Sequence, residues 1–324
     1  MRSATVVEFG GPDVFQVVES PDPVPGLGEV VIAVEVADTL FLETVVRSGA
    51  GQDYWPMRPP YVPGNGVAGR VTMLGDGVDA GLLGRLVVAH TGNEGGYADR
   101  ALVSARAVSD VPAGVDLRVA AAALHDVPTA LALFDVTKVG RRDTVLVVGA
   151  SGGLGIASVQ LARAHAGRVV AVARGTKLER IRELGPDAVA DSELPDWLEQ
   201  TRAMLPAGGA DVVLDNVGGD VGEASIALVA TGGRFSGHGT PSGRFAEVDK
   251  EVAARRGITT TGIEAVQMSD ADLKRYTDRA LREVSAGVLA PVIGQTFPLE
   301  RAGAAHAAIE SREVFGKTLL TTTT

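Results

Sequence analysis

One stretch holds residues whose types and spacing suit a phosphorylated ligand: Val145 to Arg163, VLVVGASGGLGIASVQLAR. The apolar run Val145-Leu146-Val147-Val148 stops at a cluster of small residues. Beyond Gly155, Ile156, Val159 and Ala162 recur at helical spacing. The pattern predicts a buried strand, a tight turn and a helix. Glycine serves such a turn because backbone must approach a ligand and the helix must start close to the sheet. The helix N-terminus adds unpaired N–H groups and partial positive charge, which favour a pyrophosphate. The turn departs from G-x-G-x-x-G at its first position, where Ala150 stands. The same residues read Gly149-Ala150-Ser151-Gly152-Gly153, a G-x-S-x-G elbow that would make Ser151 an acyl-transfer nucleophile. From this stretch alone, both chemistries are open.

Residues further along weigh between them. The next apolar run, Val169 to Ala173, ends in Arg174-Gly175-Thr176-Lys177, with no acid before Glu179. An acid at that point would take a ribose 2′-hydroxyl; Arg174 and Lys177 suit a 2′-phosphate, so the expected cofactor is NADPH. Asp215-Asn216-Val217-Gly218-Gly219 and Gly237-His238-Gly239 follow two further apolar runs, where ligands bind in open α/β sheets. A serine hydrolase would need His238 or His306 as base, and would leave the basic strand end and the later glycines unexplained. A dinucleotide accounts for all of them together. The five histidines form no H-x-x-x-H or H-E-x-x-H, and cysteine is absent, so no zinc site is expected. Gly316-Lys317-Thr318 resembles the end of a P-loop, but Ser311 stands where that loop needs glycine.

The elements that must position these groups fall into two textures. Residues 1–118 read as short β segments at 5–9, 14–19, 29–36, 67–73 and 84–89, divided by Gly, Pro and Asp, with a short helix or crossing segment at 40–47. From 144 to 236 strand and helix alternate, the rhythm of a doubly wound parallel sheet. Ile258 to Ile263 reads as a last strand, 270–286 as an amphipathic helix, and 296–320 as strand, helix, strand. A chain of 324 residues, 45% hydrophobic, has material for two domains. Forty acids against thirty bases argue against a nucleic-acid binder. Without an apolar leader or a run of about 18 apolar residues, the reading is a soluble, cytoplasmic protein with no membrane partner.

Segments spread along the chain resemble the zinc-free quinone oxidoreductase branch of the medium-chain dehydrogenase/reductase superfamily. They include EFGGPDVFQVVESPDPVPGLGEVVIAV at 8–34, PYVPGNGVAGRV at 60–71, GGYADRALV at 95–103, AAALHDVPTALALF at 121–134, ASGGLGIASVQLAR at 150–163, VVLDNVGG at 212–219 and GKTLL at 316–320. The resemblance implies an α/β protein with a GroES-like β-barrel catalytic domain over 1–118. A Rossmann NADPH-binding domain over 119–263 follows, and 264–324 returns to the catalytic domain. Cofactor positions carried over are Thr129, Gly152, Gly153, Leu154, Lys177, Asn216 and Gly239; Ser151, Arg174, His238 and Lys317 complete the expected cofactor set. Zinc-dependent relatives have Gly-His-Glu where this chain has Gly64-Asn65-Gly66. The implied reaction is hydride transfer from NADPH to a small hydrophobic quinone or α,β-unsaturated carbonyl. An enoyl-thioester reductase and a non-catalytic NADPH-binding protein are the alternatives.

The segment Leu40-Phe41-Leu42-Glu43-Thr44-Val45 departs from the N-F-x-D-T-Y-like pattern of that branch. Leu40 and Val45 replace an amide and a phenol, so with Trp55 they are expected to make the substrate pocket apolar. Glu43, Tyr54 and Tyr61 are then the pocket's catalytic candidates. The resemblance also implies a homodimer formed by edge-strand pairing near Ile258 to Ile263.

Overall fold

The computed structural model describes residues 1–53 and 55–322. Its contacts divide the chain into two compact units, Met1–His125 with Asp270–Ala286 and Pro291–Thr324, and Asp126–Ser269 with Gly287–Ala290.

The first unit opens with β1 (Arg2–Val6), which pairs antiparallel with β2 (Phe15–Glu19), Val6 facing Phe15. The expected strand at 5–9 thus begins three residues earlier. Val6 exchanges backbone hydrogen bonds with Tyr61, and Val7 begins the return to β2. The long central strand is β3 (Glu29–Asp38), followed by helix α1 (Phe41–Arg47) and strands β4 (Gly66–Leu74), β5 (Leu86–His90), β6 (Arg100–Ser104) and β7 (Val108–Asp110). Alternation along β3 turns Val30, Ile32 and Val34 into one apolar cluster with Val67, Val71, Val87 and Val103. Beyond two irregularities in the β3–β4 ladder, Val36 packs in a second cluster against Ala68, Val88 and helix α2 (Leu117–Ala123). The buried alanines Ala120 to Ala123 let that helix lie close to the sheet. Strands β6 and β7 had no counterpart in the sequence reading. They are five and three residues long, too short for a period to declare itself.

The second unit begins with α3 (Asp126–Thr137) and β8 (Thr144–Val148). There follow α4 (Gly153–His165), β9 (Arg168–Ala173), α5 (Leu178–Glu183), β10 (Ala188–Asp191), α6 (Trp197–Met204), β11 (Ala210–Asp215), α7 (Gly219–Ser225), β12 (Val229–Gly237), α8 (Lys250–Arg255) and β13 (Thr259–Gly262). The six strands are parallel in the order β10-β9-β8-β11-β12-β13, the doubly wound Rossmann arrangement. All five residues of β8 are buried, as a central strand covered on both faces requires.

The chain then returns to the first unit. Helix α9 (Asp270–Ser285) buries Tyr276, Thr277, Ala280 and Leu281. Strand β14 (Ile293–Pro298), helix α10 (Ala302–Glu310) and β15 (Lys317–Thr321) complete the mainly antiparallel GroES-like sheet. There β15 pairs with Val36 to Asp38 of β3, beside the stretch that β6 takes. No single helix among the described residues is long and apolar enough to cross a membrane.

Candidate functional site

In the second unit, the turn after β8 folds tightly. The amides of Gly149 and Ala150 both donate to Val172 O of β9, which pulls the turn onto the neighbouring strand. A Cβ on Gly155 would stand 2.2 Å from Gly149 O, so only glycine lets α4 start this close to the turn. Gly152 is different: a Cβ there would meet nothing within 4 Å. It is exposed, directly before the N-terminus of a thirteen-residue helix. The turn therefore leaves open space at Gly152 beside helix N–H groups, the chemistry a pyrophosphate needs.

The basic strand end lies against that turn. Lys177 is buried, with its Nζ 3.4 Å from Ser151 Oγ. Arg174 is exposed and pairs through Nε with Glu193 Oε1 at 2.9 Å. The elbow reading of Ser151 loses its base here. Both ring nitrogens of His238 are engaged, Nδ1 with Ser236 Oγ at 3.1 Å and Nε2 with Asn216 Oδ1 at 3.0 Å. His306 is buried, with its Nε2 3.0 Å from the Tyr97 hydroxyl.

The ends of β11 and β12 are knitted together. Asp215 Oδ1 accepts from the amides of Val217 and Gly218, and its backbone oxygen accepts from His238 and Gly239. A Cβ on Gly239 would sit 1.9 Å from Asn216 C, so the two loops touch backbone to backbone. Burial holds His238 neutral, lowering its pKa to about 4. Thr129 lies half-buried on α3 of the same unit.

In the first unit, Glu43 is buried and saturated. Its Oε2 accepts from Leu40 N at 2.9 Å and from the Tyr97 hydroxyl at 2.6 Å. Its Oε1 accepts from both the backbone and the side-chain amide of Asn65, each at 2.9 Å. Burial raises the Glu43 pKa, while the Tyr97 and Asn65 hydrogen bonds pull it back. The Tyr97 hydroxyl reaches on to His306 Nε2 at 3.0 Å, and burial beside Glu43 raises the Tyr97 pKa well above its ordinary value. The carboxylate thus starts α1, holds the loop at Asn65 and anchors the segment at Tyr97.

Beside this network is a small pocket open to solvent, walled by Leu42, Val46, Trp55, Met57, Tyr61 and Asn93, with Glu43 and Asn65 also lining it. Of the expected pocket residues, Trp55 and Tyr61 line it with Glu43. Leu40 and Val45 do not, because α1 turns Leu42 and Val46 toward it instead. Tyr54 lies outside the described residues. The Tyr61 hydroxyl is buried with no hydrogen-bond partner among the described residues, and burial pushes its pKa up to about 12.

A second polar chain runs through the first unit and had no counterpart in the sequence reading. Lys317 Nζ stands 2.8 Å from Asp38 Oδ1, and Asp38 Oδ2 is 2.6 Å from His125 Nδ1. His125 Nε2 is 3.2 Å from His90 Nδ1, and His90 Nε2 is 3.0 Å from Thr277 Oγ1. Burial raises the Asp38 pKa to about 6 against the pull of Lys317. Burial, with His125 adding to it, lowers His90 to about 2. His90, His125 and Asp38 come from separate stretches with no shared spacing, so only the fold assembles them, Asp38 and His90 from the ends of β3 and β5 and His125 from the residues after α2. Among the described residues, no three His, Asp or Glu side chains converge as a metal shell.

Comparison with known proteins agrees with this architecture. Residues 184–320 match the family model "Zinc-binding dehydrogenase". The chain is 30% identical to a quinone oxidoreductase of Rattus norvegicus, over 99% of this chain and 97% of that one. It is 29% identical to a 2-haloacrylate reductase of a Burkholderia species, over 99% and 98% of the two. The solved structure of a mycobacterial protein complexed with NADPH superposes with a TM-score of 0.90 at 30% identity, covering 99% of this chain and 100% of that one. With two such units and full-length kinship, the chain belongs to the quinone oxidoreductase branch of the medium-chain dehydrogenase/reductase superfamily.

Proposed function

We propose that the protein is an NADPH-dependent reductase that delivers hydride to quinones or to the β-carbon of α,β-unsaturated carbonyls. The observation that carries the reading is the buried Lys177 ammonium beside Ser151, at the open side of the Gly152 turn. The helix N-terminus after Gly152 offers N–H groups and partial positive charge to a phosphate, and Lys177 adds a cation beside the same turn. Bound there, NADPH would supply the hydride.

The chain's own residues do the rest. The α4 N-terminus, Gly152, Gly153 and Leu154 hold the pyrophosphate; Ser151, Lys177 and Arg174 take the 2′-phosphate. Asn216, His238, Gly239 and Thr129 line the nicotinamide half. A flat acceptor takes the pocket walled by Trp55, Met57 and Tyr61, where a carbonyl oxygen would accept from the Tyr61 hydroxyl. Glu43 acts as a positioning residue, since its lone pairs are already taken by Leu40, Asn65 and Tyr97. The NADPH carried by the mycobacterial structure supports the cofactor, and the named activities of the rat and Burkholderia relatives support the acceptor classes. We further propose a homodimer through β13, at the end of its sheet.

Steady-state oxidation of NADPH with simple quinones and enones is the test, with cofactor binding measured in parallel. Binding without turnover of either acceptor class would sink the reductase reading in favour of a non-catalytic NADPH-binding protein.

A further inference from the structure

The 2′-phosphate end of the proposed cofactor site carries an acid as well as bases. In the parallel ladder, Asp191 of β10 stands opposite Ala173 of β9, so the residues that follow each strand emerge side by side. Arg174 and Glu193 meet there, Nε to Oε1 at 2.9 Å, both roughly half exposed. The acidic segment is held in place by its own backbone. Ser192 N donates to Ala173 O, and Glu193 N donates to Asp191 Oδ1, each at 2.9 Å. Asp191 also crowds the strand end from below, since a Cβ on Gly175 would fall 2.5 Å from its Oδ2. Two opposed specifications therefore meet at one edge. Lys177 and Arg174 attract a phosphate dianion, while Glu193 neutralises Arg174 and repels that dianion. A 2′-hydroxyl carries no charge to repel and donates to a carboxylate.

We propose that Glu193 sets the degree of cofactor selectivity, holding back the preference for a 2′-phosphate over a 2′-hydroxyl. The proposal rests on the NADPH reading above. It makes Glu193 a specificity-determining residue acting through Arg174 and through its own charge, while Lys177 supplies the attraction.

The test is a charge series at one exposed position: wild type, Glu193→Gln and Glu193→Lys. Dissociation constants for NADPH, NADH and adenosine 2′,5′-bisphosphate are measured by titration calorimetry on the full-length protein. NADPH and the bisphosphate should tighten by about two- to fivefold at each step, the range for a charge pair exposed to solvent. The gain should shrink at high salt, and NADH should move by less than about twofold. Equal factors for NADPH and NADH, or a flat series in a protein that prefers NADPH, would overturn the role of Glu193. A wild type that binds NADH more tightly than NADPH would overturn the cofactor reading, and this proposal with it.

Discussion

Lys177 and Glu43 are two buried charges with different partners. The ammonium of Lys177 stands near the hydroxyl of Ser151, on the side of the turn that is open above Gly152. If it meets a 2′-phosphate, that charge-assisted contact is worth about 1.5–3 kcal/mol. Lys177→Ala should therefore weaken NADPH binding roughly ten- to a hundredfold and leave NADH nearly unchanged. A fluorescence titration with both cofactors checks this, and equal loss for both would refute the assignment. Glu43 instead stabilises its own unit. Replacing one acceptor oxygen by an NH₂ sets donor against donor at Leu40 and Tyr97, or at Asn65. Glu43→Gln should cost about 2–3 kcal/mol of stability, the penalty for one or two unsatisfied buried groups, read in urea unfolding. A neutral result would show that the network relaxes without strain.

At the scale of elements, β13 matters for assembly. It pairs on one side with β12, Phe235 facing Thr260, and ends the six-stranded sheet. Thr259 and Thr260 are exposed. A row of unpaired backbone groups with β-branched side chains is a template for a second copy. Thr260→Lys would place a charge on that row, so light scattering after size exclusion should report a monomer where wild type reports a dimer. A monomeric wild type would end the edge-pairing proposal. Elements also set the limits of reading. The βαβ rhythm from β8 to β12 was legible because buried apolar runs such as β8 and β9 alternate with helices of the opposite period. The first unit was harder. Its β6 and β7 are short, and β1 is fixed by contacts with Tyr61 and Tyr97, far away in sequence.

For the whole molecule, buried neutral histidines make a measurable statement about acid. Burial lowers His238 to about 4, His306 to about 3 and His90 to about 2. A pKa lowered on folding means that the stabilising share is complete above the unfolded value near 6.5 and is lost as pH falls through the folded value. Asp38, raised from 3.8 to about 6, works the other way: its share is complete below 3.8 and is lost as pH rises through 6. Between pH 6 and pH 4 the unfolded chain thus holds about three protons at these histidines and the folded chain holds about one at Asp38. At about 1.4 kcal/mol per proton per pH unit, these four groups together take about 3 kcal/mol per unit from stability, summed over the transitions of the two units, while Glu43, also raised by burial, opposes them. His90→Gln should flatten that slope by about 1.4 kcal/mol per unit in urea titrations at pH 6, 5 and 4. An unchanged slope would mean that His90 takes up its proton in the folded state.

By itself the sequence determined the strand-turn-helix at 145–163, the basic strand end at Arg174 to Lys177 and the doubly wound sheet. Each of these depends on neighbours in the chain: backbone conformation at glycines, the period of apolar residues, and a charge placed where a strand must stop. Glu43 was visible as an acid on a short helix, but its saturation by Asn65 and Tyr97 was not. Nor was the chain of Lys317, Asp38, His125, His90 and Thr277, or the meeting of Arg174 with Glu193. Those contacts join residues from 19 to 279 positions apart. Strand register brings them together, and register is settled by which faces are buried across the whole sheet.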